Sequence, residues 1–164
     1  MKTKSLTEGT REVLESTMAL THAIHDMREE VHDLVTINHV DATRQAYLGL
    51  WATFVVAPLV FGIDKFAGLI TSTWEAYLAT WVNDVLPGSA ADAVMVLGVV
   101  EILLAVTIAL MPRVGGDLFA LYMVLMAISL FTVGGGTMVI LGMAAIGAAI
   151  CALAMARLST TFHN

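Results

Sequence analysis

Residues 93–111, AVMVLGVVEILLAVTIALM, carry a single charge, Glu101, near their midpoint. About 20 apolar residues are needed to cross the roughly 30 Å of hydrocarbon in a bilayer. A run of this length therefore predicts a membrane-spanning helix. A carboxylate at its centre costs about 2.5–3.5 kcal/mol on insertion scales. Glu101 must then be protonated, paired, or turned toward protein or trapped water, with Ser129, Thr132 or a backbone carbonyl of a facing helix as the expected partners.

Composition agrees: 58% of the chain is hydrophobic and 13% charged, about half the charged share of a soluble domain. The net charge of −6 and the scattering of the eight basic residues argue against nucleic acid, which needs clustered Lys and Arg. One cysteine, Cys151, excludes an intrachain disulfide or a CxxC metal site; in its apolar setting it reads as a small core residue.

Three further spans follow from hydropathy, giving four in all at about 46–63, 93–111, 118–133 and 137–156. The first carries Tyr47 and Trp51, expected at headgroup level, and Pro58 as a kink. It ends at the adjacent charges Asp64 and Lys65, expected to anchor the helix at the membrane edge. Side by side, they do not face each other on a helix, so each needs another partner. Residues 66–91 are too polar to span. Trp74, Tyr77, Leu78, Trp81, Val82 and Val85 recur at helical spacing and predict one short interfacial helix, ended by a turn at Pro87-Gly88. It reads either as a plain anchor or as a lid over a lipid or quinone pocket lined by Trp74, Tyr77, Trp81 and Glu101. Residues 112–117 read as a turn holding Arg113 and Asp117 at the membrane edge. Residues 118–156 are uncharged, too long for one span, and break at Gly134-Gly135-Gly136. Ala144, Ala148, Ala152 and Ala156 make an i, i+4 ridge, with Gly142 and Gly147 adding small positions. This predicts close packing, either centrally or at a subunit contact. Four spans place both termini on one side, together with seven of the eight basic residues, so the termini are expected to be cytoplasmic in a bacterial-type inner membrane.

Residues 1–44 are different material, with eight acidic and five basic residues and four of the five histidines. They lack the apolar core of a signal peptide. Leu20, Ile24, Met27, Val31 and Leu34 follow a 4-3-4-3 spacing, and Val13 extends it by a heptad through Thr17. That predicts an amphipathic helix starting near Thr7-Glu8, with one stripe fit for a partner helix. The membrane surface is a second candidate, disfavoured by the acidic polar face. His25, Glu29 and His32 share a face and are the weak metal candidates. Glu29-x-x-His32 matches a di-iron spacing, but no second such motif occurs. Residues 45–159 form the bundle and 160–164 a tail.

Five stretches resemble the DoxX-like membrane family: Phe61-Gly62-Ile63-Asp64-Lys65-Phe66, Trp74-Glu75-Ala76-Tyr77-Leu78-Ala79, Gly98-Val99-Val100-Glu101-Ile102-Leu103, Pro112-Arg113-Val114-Gly115 and Leu153-Ala154-Met155-Ala156-Arg157-Leu158-Ser159. The resemblance covers about residues 47–159. It implies a four-helix bundle with cytoplasmic termini. Some relatives are subunits of thiosulfate:quinone oxidoreductases or partners in oxidative-stress complexes. Such relatives tend to carry charges around the turn into the last helix; residues 133–140 here carry none, and the arm lies outside the family's core. The combined expectation is a non-catalytic accessory subunit of a larger membrane complex, one linked to electron transfer, without a tightly bound cofactor. The alternatives are a quinone-coupled redox subunit using Glu101, with quinone or lipid as ligand, and a small proton-coupled transporter.

Overall fold

The computed structural model describes residues 2–86 and 88–162, with side chains from residue 11 onward. Among the described residues the regular structure is helical throughout: α1 (Lys2–Val35), α2 (Ala42–Ala67), α3 (Thr80–Val85), α4 (Ala90–Leu110), α5 (Pro112–Val133) and α6 (Gly136–Phe162), with 3-10 turns at Ile37–His39 and Trp74–Tyr77. Four of them, α2, α4, α5 and α6, are long and apolar enough to cross a membrane, as hydropathy predicts. The Pro87 part of the predicted turn and residues 163–164 of the tail lie outside the described residues.

Local chemistry sets the ends of these helices. Asp41 caps α2 by accepting hydrogen bonds from the backbone N–H of Thr43 and Arg44, an arrangement worth about 1 kcal/mol. Ser89 and Asp92 form a reciprocal capping box at the start of α4. Pro112 occupies the first turn of α5, where its missing N–H is harmless. The expected turn at residues 112–117 is therefore helix, and only Met111 separates α4 from α5. That corner is tight: a Cβ on Gly115 would lie 2.5 Å from the Ile108 backbone. Gly134 and Gly135, at φ +81° and +87°, turn the chain from α5 into α6 in two residues. Here a backbone conformation that L side chains avoid is what makes the hairpin possible.

Tyr47 and Trp51, expected at headgroup level, are instead core residues at 0% and 4% exposure. They pack with Leu48, Phe54, Leu104, Ile108, Phe119 and Met155. Met27 and Leu34 of α1 pack against this cluster, and Glu30 of α1 accepts a hydrogen bond from the Tyr47 hydroxyl. Tyr47 also stacks on Phe162, ring centroids 5.5 Å apart. The start of α2 and the end of α6 thus share one end of the bundle, and residues 160–162 of the expected tail are the last turn of α6.

The α6 ridge is graded. Ala152 and Ala156 are buried, Ala148 is half-buried and Ala144 is exposed. Near its end α6 packs on Gly116, where an added Cβ would sit 2.9 Å from the Ala152 carbonyl oxygen. Earlier along the helix, Gly142 meets the Phe131 ring, while Gly147 has nothing within 4 Å. Ile140, Met143 and Ile150 of α6 are exposed.

A close backbone approach also joins α2 and α4. A Cβ on Gly62 would meet the Gly98 carbonyl oxygen at 2.8 Å, and one on Gly98 would meet the Gly62 carbonyl oxygen at 2.9 Å. Either alanine pushes the two backbones apart. The expected outcome is that Gly62→Ala and Gly98→Ala each lose about 1–3 kcal/mol, read as a lower unfolding temperature in detergent. Gly147→Ala, with open space around it and a better helix former in place of glycine, does not lower that temperature.

Candidate functional site

The Gly62–Gly98 crossing brings Lys65 of α2 beside Glu101 of α4. The Lys65 ammonium donates to Glu101 Oε2 at 2.6 Å, and the Tyr122 hydroxyl of α5 donates to Glu101 Oε1 at 2.5 Å. Both oxygens of the carboxylate are thus engaged, and three helices meet on one side chain. The Lys65 and Glu101 side chains are 6% and 9% exposed. Glu101 is therefore paired. Its partners are not the expected Ser129 and Thr132, which hold the segment after α2 instead. Ser129 accepts from the Ala79 N–H at 3.1 Å, and Thr132 accepts from the Trp81 indole at 3.1 Å.

Asp64 and Lys65 go to different partners, as adjacent helix positions must. Asp64 is 3% exposed. It accepts from the backbone N–H groups of Leu69, Ile70 and Thr71 and from the Trp74 indole N–H. It folds the chain leaving α2 back over the end of that helix. Gly68, in the left-handed region at φ +60°, permits the reversal. The same Trp74 ring lies over the Lys65 ammonium, 4.1 Å from its centroid, a favourable cation–π placement. Both side chains are turned inward, onto partners within the protein.

The expected single interfacial helix is two short pieces, the 3-10 turn Trp74–Tyr77 and α3, separated by Leu78 and Ala79. Trp74 and Tyr77 stay together, centroids 5.9 Å apart, and Trp74 reaches the Lys65–Glu101 pair. Trp81 does not: it bonds to the end of α5 and is 38% exposed. The four residues proposed to line one pocket are thus split. A cleft of about 480 Å³ near this segment has Glu75, Thr80, Asn83 and Asp84 in its wall, with none of Trp74, Tyr77, Trp81 or Glu101.

A second polar cluster, missed by the sequence reading, joins α1 to the bundle. Glu30, 1% exposed, accepts a hydrogen bond from the Tyr47 hydroxyl. Asp33 pairs with Arg44 at 2.9 Å. The Arg44 guanidinium also lies 5.2 Å from the Tyr47 ring centroid and 4.8 Å from that of Phe162. The only signal in the sequence was the spacing of Ala23, Asp26, Glu30 and Asp33, which put acids on one face of α1. Of the expected stripe, Met27 and Leu34 pack against the core, whereas Leu20, Ile24 and Val31 are 54%, 48% and 48% exposed.

The remaining candidates are surface features. Asp117 pairs with Arg157 at 3.3 Å, and Arg113 is exposed. His25 Nδ1 approaches Glu29 Oε1 at 3.7 Å, while His32 leans on Asp33 at 3.8 Å instead. Among the described residues no group of three or more His, Cys, Asp and Glu side chains is placed to hold a metal ion.

The class this geometry defines is a four-span helical bundle of membrane type, built around an internal Lys–Glu–Tyr cluster. No protein-family model, no curated protein and no solved structure matches the chain.

Removing one member of a buried pair leaves the other charge without compensation, at a cost of about 3–5 kcal/mol. Glu101→Leu and Lys65→Met are each expected to lower the unfolding temperature in detergent markedly. The double variant Lys65→Met/Glu101→Leu is expected to recover most of the loss. Additive losses would mean that the two side chains do not depend on each other.

Proposed function

We propose that the chain is a non-catalytic structural subunit of a larger membrane complex, with α1 as its docking arm. The observation that carries this reading is the free half of α1. Every residue from 11 to 22 is exposed, Val13, Leu14, Met18 and Leu20 among them. A helix without tertiary packing is marginal in water, and its apolar side chains gain about 25 cal/mol per Å² when buried. Another protein surface supplies that burial. The inner cluster supports the same reading, since both oxygens of Glu101 are held by Lys65 and Tyr122.

In this reading the termini and α1 face the cytoplasm of a bacterial-type inner membrane, supported by the seven-to-one bias of basic residues. Residues 74–85, with their aromatic side chains, lie at the opposite headgroup level. The five DoxX-like stretches, taken together and in order, favour an electron-transfer complex as the setting.

A second reading has one observation in its favour. Lys65, Glu101 and Tyr122 are three proton-holding groups in unbroken contact inside a bundle, the equipment of a quinone-coupled redox subunit with quinone or lipid as ligand.

A mild-detergent pulldown from native membranes, with subunit identification and an absorption spectrum, separates the two. The structural reading expects Leu20→Asp/Ile24→Asp to be recovered alone, still folded. It expects Lys65→Met/Glu101→Leu to stay in the complex with electron transfer intact. If the arm variant stays bound and the inner variant assembles but no longer turns over, the redox reading replaces it.

A further inference from the structure

We infer that the turn after α2 enters the lipid: Leu69 and Ile70 seat among the acyl chains of the leaflet opposite α1.

The register of α2 on α4 sets the depth. A Cβ on Gly62 would meet Gly98, Glu101 and Ile102, and one on Gly98 would meet Gly62, Lys65 and Phe66. The two helices therefore run antiparallel, with Gly62 level with about residue 100. Carried on at about 1.5 Å per residue, that register ends α2, at Ala67, about 7 Å short of the level where α4 begins at Ala90. A contact on α5 agrees. The Ala79 N–H bonds to Ser129, which lies about 6 Å below the end of α5 at Val133. The first span thus stops before its neighbours do, and the chain that follows lies beside their last turns rather than above them.

The chain at that level is suited to an apolar medium. Residues 66–73, FAGLITST, carry no charge, and Leu69 and Ile70 are 86% and 60% exposed. Backbone enters hydrocarbon only where its polar groups are satisfied inside the protein. The Gly68 N–H bonds to the Asp64 carbonyl oxygen at 2.7 Å. The N–H groups of Leu69, Ile70 and Thr71 bond to the Asp64 carboxylate at 2.7, 2.6 and 3.2 Å. Four successive donors are thereby satisfied internally, while two large apolar side chains stand clear of the protein.

Lipid is the occupant because this surface continues the one that a spanning α2 presents to acyl chains. Val56, Val60, Ile63 and Phe66 recur at helical spacing along α2, each between 43% and 56% exposed. Leu69 and Ile70 extend that apolar surface past the end of the helix. The acids of the segment, Glu75 and Asp84, are gathered instead in the cleft further along the chain. With the turn seated in this way, the end of α2 that carries Lys65 is bordered by hydrocarbon rather than water.

The test uses the full chain with Cys151→Ser, purified and reconstituted in phosphatidylcholine vesicles, with one new cysteine at a time carrying an NBD fluorophore. A nitroxide on the phosphatidylcholine acyl chain is expected to quench Leu69→Cys and Ile70→Cys several-fold more than Glu75→Cys. Aqueous iodide is expected to spare them as it spares Val60→Cys within the span. Iodide quenching equal to that of Glu75→Cys overturns the inference. So does protection from both quenchers, which marks protein rather than lipid over the turn. If Val60→Cys is quenched by the nitroxide and the turn is not, the inference falls while α2 remains a span. If Val60→Cys also escapes the nitroxide, the spanning reading falls and takes the inference with it.

Discussion

Everything in the interior is arranged so that Lys65 and Glu101 can meet in a medium that tolerates neither alone. An uncompensated charge at bilayer depth is costly. A paired and hydrogen-bonded one is acceptable where the geometry is good. Gly62 and Gly98 let α2 and α4 approach until a Cβ on either would touch the other's carbonyl oxygen. Tyr122 brings α5 to the remaining carboxylate oxygen. Asp64 then bends the following segment so that Trp74 lies over the ammonium. One ion pair thereby sets the spacing of two helices, the rotation of a third and the path of the chain between them.

The opposite end of the bundle repeats the device in a different setting. A carboxylate, Glu30, again accepts from a tyrosine hydroxyl, Tyr47, and a cation again lies over aromatic rings, Arg44 on Tyr47 and Phe162. There the cluster joins an amphipathic helix to the span that follows it. The two clusters divide the labour: one orders helices within the bundle, the other fixes where the arm leaves it. Between them the interior is largely aliphatic and aromatic.

The membrane class and the four spans were legible because hydropathy over some 20 residues is a strong signal. Glu101 was legible for the same reason, as a charge where none is cheap. Its partners were not. Lys65 lies 36 residues away, and nothing local distinguishes a lysine that reaches into a bundle from one that reaches out to headgroups. Helix ends shifted where local chemistry outweighs hydropathy: Pro112 and the two glycines after it read as a turn but start α5. Tyr47 and Trp51 are buried by residues of other helices, Leu104, Phe119, Met155 and the arm's Met27 and Leu34 among their cluster, a tertiary effect invisible in the span itself. The apolar stripe of α1 was plain in the spacing. That its acidic flank would dock on Tyr47 and Arg44 was not.

The Lys65–Glu101 contact also makes α2 and α4 dependent on each other. Lys65 stands near the end of α2 and Glu101 at the middle of α4. A lone charge in an apolar span is costly, and neither helix carries a partner for its own. The two therefore form one tied unit, with α5 joined to it through Tyr122.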